Sequence, residues 1–124
     1  MNNSLQETMF SYFDERIAAC DRQKEWLLND ERADEAVFET IRSNVYGIFK
    51  AMLKAAIKRS GSDDAEAIKR FFLLKIEEIP VSWKESYRKA EQYGDAEKMQ
   101  IETIKLETVE EIEATFQRIW EGRQ

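Results

Sequence analysis

Three lysines in this 124-residue chain have a type and a spacing that could serve a binding function. Lys50, Lys54 and Lys58, here called the lysine ladder, recur at four-residue steps in the stretch VYGIFKAMLKAAIKRSG, so they share one side of a helix. Their ammonium groups could bind the phosphates of a nucleic acid or of anionic lipids. The ladder lies opposite the apolar side of the same helix, which makes a solvated basic face the simpler interpretation.

Charge is segregated along the chain. Residues 1–39 hold four basic and ten acidic residues (net −6), residues 40–75 hold eight and three (net +5), and residues 76–124 hold seven and twelve (net −5), within a total of −6. The basic end of the second helix would suit its macrodipole and could complement acidic neighbouring helices. Because the whole chain is acidic, long-range repulsion opposes a polyanionic partner. Nucleic acid is therefore not the partner we expect.

Catalytic and metal-binding residues are scarce. Histidine is absent and Cys20 is the only cysteine, which removes histidine bases, Ser–His and Cys–His pairs, and the common zinc and iron–sulfur sites. Glu107, Glu110 and Glu111 form an acidic group without the Glu-x-x-His pairs of dimetal bundles, and we expect it on a solvated face. We expect no catalytic residue, no metal and no cofactor, and so no enzyme.

The start of the chain predicts its compartment. It has no basic segment followed by an apolar run, as a signal peptide would, and no apolar stretch approaches the roughly 20 residues needed to cross a bilayer. A single cysteine cannot form an intramolecular disulfide. These features predict a cytoplasmic protein without membrane insertion.

Helices must position all of these residues. The chain contains one proline and four glycines, and its apolar residues recur at steps of three and four. Capping signals predict five helices: from the Ser4/Glu7 capping box to a break between 29 and 34, from about Glu31 to Ser60, from Ser62 or Asp63 to Ile79, from the Ser82/Glu85 capping box to Tyr93, and from Asp95 to about Trp120.

Helix lengths then predict the architecture. The first, second and fifth helices have about 25 to 29 residues, or about 37 to 43 Å, and the third and fourth placed end to end reach a similar length. Short connections make neighbours antiparallel. We expect an all-α, up-down helical bundle of four long elements, the third broken at Pro80, with five helices in total and a single domain covering 1–124.

The apolar face of each long helix gives the expected core. It comprises Met9, Phe10, Phe13, Ile17, Cys20, Leu27 and Leu28 on the first helix, Phe38, Ile41, Val45, Ile48, Phe49, Met52 and Ala56 on the second, and Ile101, Ile104, Val109, Ile112, Phe116, Ile119 and Trp120 on the fifth.

Gly47 and Ala51 stand beside the lysine ladder. A glycine inside a helix lowers helix stability by about 1 kcal/mol relative to alanine. We therefore expect Gly47 to have a specific role at its position. A ridge of small side chains allows another backbone to come close, either at a tight crossing within the bundle, at a subunit contact or along a ligand groove. The tight crossing is the interpretation we expect first.

The segment KRFFLLKIEEIP is apolar on more than one side. Ile68, Phe72 and Ile76 define one face of the third helix, whereas Phe71 and Leu74 stand off it. A helix that is apolar all round is buried all round, and a second subunit is the expected cover. Trp26 also lies off the apolar face of its helix, as interface hot-spot residues often do.

We therefore predict a non-catalytic protein–protein interaction module that self-associates as a homodimer, with Trp26, Gly47, Ala51, Phe71 and Leu74 as candidate interface residues. A second partner that the sequence allows is an unidentified protein. The alternatives are a binder of nucleic acid or anionic lipid that uses the lysine ladder as an anion-binding face, and a small ligand-binding bundle or an enzyme that works without histidine.

Overall fold

Five helices account for nearly all of the part of the chain that the structure describes, which is residues 2–122 with side chains from Ser4 onward in a computed structural model. They are α1 (Asn2–Asn29), α2 (Ala33–Ser60), α3 (Ala65–Glu78), α4 (Val81–Tyr93) and α5 (Ala96–Glu121). No strand occurs within residues 2–122. The predicted all-α bundle, with its third element broken next to Pro80, is confirmed.

The helix ends define how the chain runs. Gln6 Nε2 donates to the Ser62 carbonyl at 2.8 Å, which joins the start of α1 to the end of α2. Trp120 Nε1 donates to the Ala65 carbonyl at 3.0 Å, which joins the end of α5 to the start of α3. Helix α2 packs on α1, α3 and α5, whereas α4 packs mainly on α5. The break at Pro80 therefore directs α4 along the N-terminal half of α5.

The core is centred on aromatic rings. The ring of Phe72 on α3 lies 6.5 Å from Phe13 of α1, 6.2 Å from Phe49 of α2 and 4.5 Å from Phe116 of α5, measured between centroids. Trp120 stacks on Phe116 at 5.1 Å. The expectation that Trp120 belongs to the core face is confirmed.

Two predicted core positions are wrong. Ile48 and Leu28 are exposed, and the buried face of α2 instead includes Tyr46 and Leu53. The inner face of α2 is thus rotated toward Tyr46. Tyrosine can take a buried position because its hydroxyl finds a hydrogen-bond partner on another helix, which the apolar pattern of α2 alone does not reveal.

The helix starts agree with the sequence where an aspartate caps them. The Asp95 side chain accepts from the Lys98 backbone N–H, as expected, and Asp64 rather than Asp63 accepts from the Ala67 N–H. Two predicted capping boxes are wrong, because α1 already includes Ser4 and α4 already includes Ser82. Pro80 takes the N-cap of α4 at φ −72°, a conformation that suits the start of a helix and needs no N–H.

The break between α1 and α2 falls at residues 30–32, inside the range predicted for it. Glu31 has φ 57°, and it is the only residue other than glycine with positive φ in the described part of the chain. A left-handed conformation costs a residue with a Cβ roughly 1–2 kcal/mol. This turn is therefore a strained connection on the surface.

We expect Glu31→Gly to raise the free energy of unfolding by about 0.5–1 kcal/mol, because glycine adopts this φ without a Cβ clash. Urea denaturation of the variant and the wild type measures the difference. Glu31→Ala is the matched control, since it removes the same charge and keeps the strain. An equal gain in the alanine variant would assign the effect to charge and contradict the backbone explanation.

Candidate functional site

The lysine ladder is not a uniform solvated face. Lys50 Nζ lies 2.5 Å from Oδ1 of Asp14, so this lysine ties α2 to α1. Lys54 and Lys58 are exposed, and neither has an ion-pair partner within the described residues. The ladder thus leaves two of its three ammonium groups available to a partner.

Gly47, Ala51, Lys54 and Lys58 follow one another at steps of four, three and four residues, and we call them the outer stripe of α2. A Cβ added at Gly47 would have no neighbouring atom within 4 Å. The expectation of a tight crossing within the bundle at Gly47 is therefore wrong. Packing within one copy of the chain does not require a glycine here.

Large apolar side chains flank the outer stripe. Val37 and Ile48 of α2 are 51% and 38% exposed, and Val37 borders a groove between α2 and α5. Ala51, three residues after Ile48, is exposed as well. The uncovered side of α2 thus combines apolar side chains, a glycine and lysines.

The two α3 residues predicted at an interface, Phe71 and Leu74, differ in how far they are exposed. The Phe71 ring is partly buried against the core, with the guanidinium carbon of Arg59 at 5.6 Å and Nζ of Lys75 at 5.3 Å from its centroid. Leu74 is 47% exposed. Cation–π contacts within the chain cover much of Phe71, so Leu74 is the better candidate for contact with a partner.

Trp26 is the fifth candidate interface residue. It is 54% exposed near the end of α1, with the Arg32 guanidinium carbon 5.4 Å from its ring centroid. One face of the indole therefore has a cation partner within the chain.

Sequence reasoning missed a polar cluster that joins three helices. The hydroxyl groups of Tyr12 on α1 and Tyr46 on α2 both donate to Oε2 of Glu111 on α5, at 2.6 and 2.9 Å. Arg16 Nε donates to the Tyr46 hydroxyl at 3.4 Å and lies 3.6 Å from the same Glu111 oxygen. Glu111 lies on an exposed face, as expected, and one of its oxygens also joins α5 to α1 and α2.

The cluster holds its tyrosines in the neutral form. Burial raises the pKa of Tyr46 to about 12; the hydrogen bond to Glu111 adds to the rise, and Arg16 opposes it. Burial and the bond to Glu111 also raise the pKa of Tyr12 well above its usual range. A tyrosine that donates to a carboxylate and resists ionisation is a poor base or nucleophile. The arrangement therefore acts as a structural tie.

Cys20 is buried beside the same helices. Burial, with the nearby Glu39 carboxylate, raises the pKa of its thiol to about 11. Because the thiolate is the reactive form of cysteine, this thiol is inert at neutral pH.

Glu102 is a second polar position that the apolar pattern of α5 did not reveal. It is 1% exposed, with Lys98 Nζ 3.1 Å from Oε2 and Lys105 Nζ 3.3 Å from Oε1. Oε1 accepts no hydrogen bond, so Lys105 neutralises it mainly by charge. Lys105 Nζ also lies 5.6 Å from the Trp83 ring centroid on α4. The four- and three-residue steps between Lys98, Glu102 and Lys105 could have indicated these ion pairs from the sequence.

Two surface grooves have cavity volumes of about 350 and 380 Å³. The first lies beside Ile76, Lys84 and Leu106 on α3, α4 and α5, and the second beside Val37 and Ile101 on α2 and α5. Neither groove is lined by a tyrosine or a cysteine next to a carboxylate. Both grooves are concave, but neither is lined by a recognisable pair of catalytic residues.

No protein-family model, curated protein or solved structure matches the chain. Within residues 2–122, no group of three or more acidic or cysteine side chains is arranged to hold a metal ion. No helix among these residues is long and apolar enough to cross a membrane.

We expect the stability of the protein to fall as the pH rises from about 10 toward 12. In that window the unfolded chain releases the Tyr46 proton, with a pKa near 10, while the folded chain keeps it, so the unfolded state gains up to about 1.4 kcal/mol per pH unit from this group. Below pH 10 the stability that the neutral Tyr46 phenol contributes is fully present. Tyr46→Phe should flatten this part of the curve.

Urea denaturation at a series of alkaline pH values measures the slope. Tyr93→Phe, at a tyrosine that is 83% exposed, is the matched control and should keep the wild-type slope. Parallel curves for wild type and Tyr46→Phe would contradict the role assigned to the buried phenol.

We expect Lys105→Met to destabilise the fold by about 1–3 kcal/mol, because it leaves one oxygen of the buried Glu102 carboxylate without a countercharge. Adding Glu102→Leu to this variant should recover part of the loss. Thermal unfolding measures both, and Lys89→Met, at an exposed lysine of α4, is the control. A double variant less stable than Lys105→Met would argue against an electrostatic origin.

Proposed function

We propose that this protein is a non-catalytic, all-helical interaction module that self-associates as a homodimer. The observation that carries the proposal is the uncovered side of α2 and the adjoining flank of α3. There Ile48 and Leu74 are exposed, and Gly47 in the interior of α2 is required by no intramolecular contact. An exposed apolar patch marks a contact site more often than it marks plain surface.

The state of the candidate reactive groups supports the non-catalytic part. Burial and the hydrogen bonds to Glu111 raise the pKa values of Tyr12 and Tyr46 and keep both neutral, and burial raises the pKa of the only cysteine. A cytoplasmic location is part of the proposal too, and it rests on the single buried cysteine.

Binding of nucleic acid or anionic lipid is the less favoured function. Lys50 is neutralised by Asp14, which leaves two exposed lysines on an acidic chain. Each phosphate contact adds only a part of the affinity of a polyanion complex. If the wild type bound RNA, DNA or anionic vesicles and Lys54→Glu/Lys58→Glu did not, this function would replace the proposed one.

We expect the wild type to sediment as a dimer at micromolar concentration and Ile48→Lys/Leu74→Lys to sediment as a folded monomer. Leaving such side chains in water forgoes roughly 1.5–3 kcal/mol each compared with burying them, and charged replacements would have to be desolvated in a contact. Sedimentation velocity with circular dichroism measures association and helicity together. Phe71 is left unchanged, because it packs on the core.

Val81→Lys provides the matched control for this experiment. Val81 is an exposed apolar residue on α4, away from α2, and its replacement should leave the dimer intact. A wild type that sediments as a monomer of 14.7 kDa would refute self-association.

A further inference from the structure

The end of the bundle that contains the α1–α2 and α4–α5 turns is strongly acidic, and we call it the turn end. Residues 25–39 contain six acidic residues and one basic residue, and residues 91–97 contain three acidic residues and no basic residue. Both segments belong to one end of the bundle, because the starts of α2 and α5 line a common groove. The one basic residue, Arg32, is paired with Asp30 and Glu35. The turn end therefore retains an excess of negative charge.

Large apolar side chains are exposed at the turn end as well. Seven such side chains are exposed in the part of the chain that the structure describes. Four of the seven lie at this end, with exposed fractions of 47–83%: Trp26, Leu28, Val37 and Tyr93. The faces of tryptophan and tyrosine rings attract cations. The turn end thus combines exposed apolar surface with groups that attract positive charge.

The groove between α2 and α5, with a volume of about 380 Å³, contains both kinds of group. Val37 and Phe38 of α2 and Ile101 of α5 supply apolar lining, and two carboxylates line it beside them, those of Asp34 and Glu97. Both acidic residues are exposed, and neither side chain has a hydrogen bond or an ion pair within the described residues. No basic side chain among these residues lines the groove.

We propose that this groove binds a basic amphipathic helix of another protein. Apolar side chains of that helix pack on Val37, Phe38 and Ile101, and its lysine or arginine side chains pair with Asp34 and Glu97. An amphipathic helix that lays its apolar face into a groove is a recurring mode of protein recognition. The groove is separate from the surface of α2 and α3 proposed for self-association, and its occupation does not depend on a homodimer.

The charge of the groove restricts what can occupy it. A nucleic acid or another anion is repelled by Asp34 and Glu97. A neutral apolar occupant would bury both carboxylates without a countercharge, which costs free energy. A cation without apolar groups would leave Val37, Phe38 and Ile101 in water and gain nothing from them. Charge and apolar lining together therefore select an occupant that is both cationic and apolar.

The basic half of α2 in a second copy of this chain does not have the required pattern. Lys54 and Lys58 are exposed there, and Ile48 is the one exposed large apolar side chain in residues 47–60. At about 100° per residue, Ile48 lies about 120° round the helix from Lys54 and about 80° from Lys58. This half of α2 does not present its lysines and a large apolar side chain on one face, so the occupant is a different protein.

Fluorescence anisotropy with labelled synthetic peptides tests the proposal. The probe is a helical peptide with leucines on one face and lysines on the other. Two matched peptides carry serine for every leucine or glutamate for every lysine. We expect the full-length protein to bind the Leu/Lys peptide at micromolar concentration and each matched peptide at least about tenfold more weakly. No binding of the Leu/Lys peptide, or equal binding of the Ser/Lys peptide, would overturn the proposal.

Neutralising the two carboxylates locates the site. Asp34→Asn/Glu97→Gln should weaken binding of the Leu/Lys peptide about fivefold, because two exposed ion pairs are lost. Glu7→Gln/Glu15→Gln is the matched control, since it removes the same charge at exposed positions of α1 that do not line the groove. The control should bind within about twofold of wild type. Equal losses in both variants would assign the binding to overall charge and overturn the site.

Replacing one valine tests the apolar lining. Val37→Ser should weaken binding of the Leu/Lys peptide at least about fivefold, since it removes apolar surface from the groove. Val81→Ser, at an exposed apolar residue of α4, is the control and should bind as wild type does. Circular dichroism verifies that every variant is folded. A wild-type dimer that Asp34→Asn/Glu97→Gln converts to a monomer would place a second copy in the groove and overturn the choice of partner.

Discussion

The ring of Phe72 contacts one aromatic ring from each of α1, α2 and α5, and the rest of the bundle depends on that meeting point. Helix α3 has 14 residues, which is close to the limit for a helix that is stable by itself in water. Its position must therefore come from packing. With Phe13, Phe49 and Phe116 at centroid distances of 4.5 to 6.5 Å, Phe72 places α3 against three helices at once.

The opposite end of the bundle is held by charge. Helix α4 buries Ala90 and packs mainly on α5, where Lys105 lies over Trp83 and reaches Glu102. A buried ion pair contributes less net stability than apolar packing of the same volume. Helix α4 adds Ala90 to the buried residues and Trp83 to the side chains packed against the core. The break at Pro80 therefore separates α3, which is anchored by aromatic rings, from α4, which packs on α5 beside an ion pair.

The fold could be predicted from the sequence because its signals are local. Asp95, Gly61, Gly94 and Pro80 act within one turn of themselves, and the structure places helix ends at all four. What could not be predicted depends on partners distant in sequence. Tyr46 is buried because Glu111, 65 residues away, accepts its hydrogen bond, and no periodicity in α2 contains that information. The homodimer and its interface residues remain predictions.

The same distant partner determines which side of α2 faces outward. Tyr46 and Gly47 are adjacent, so their directions on the helix differ by about 100°. The bond from Tyr46 to Glu111 and the ion pair from Lys50 to Asp14 fix the rotation of α2 about its axis. Once Tyr46 points inward, Ile48 is carried outward and the outer stripe is left uncovered. An apolar pattern that places Ile48 inside would put α2 in a different rotation, and the polar tie at Tyr46 decides between the two.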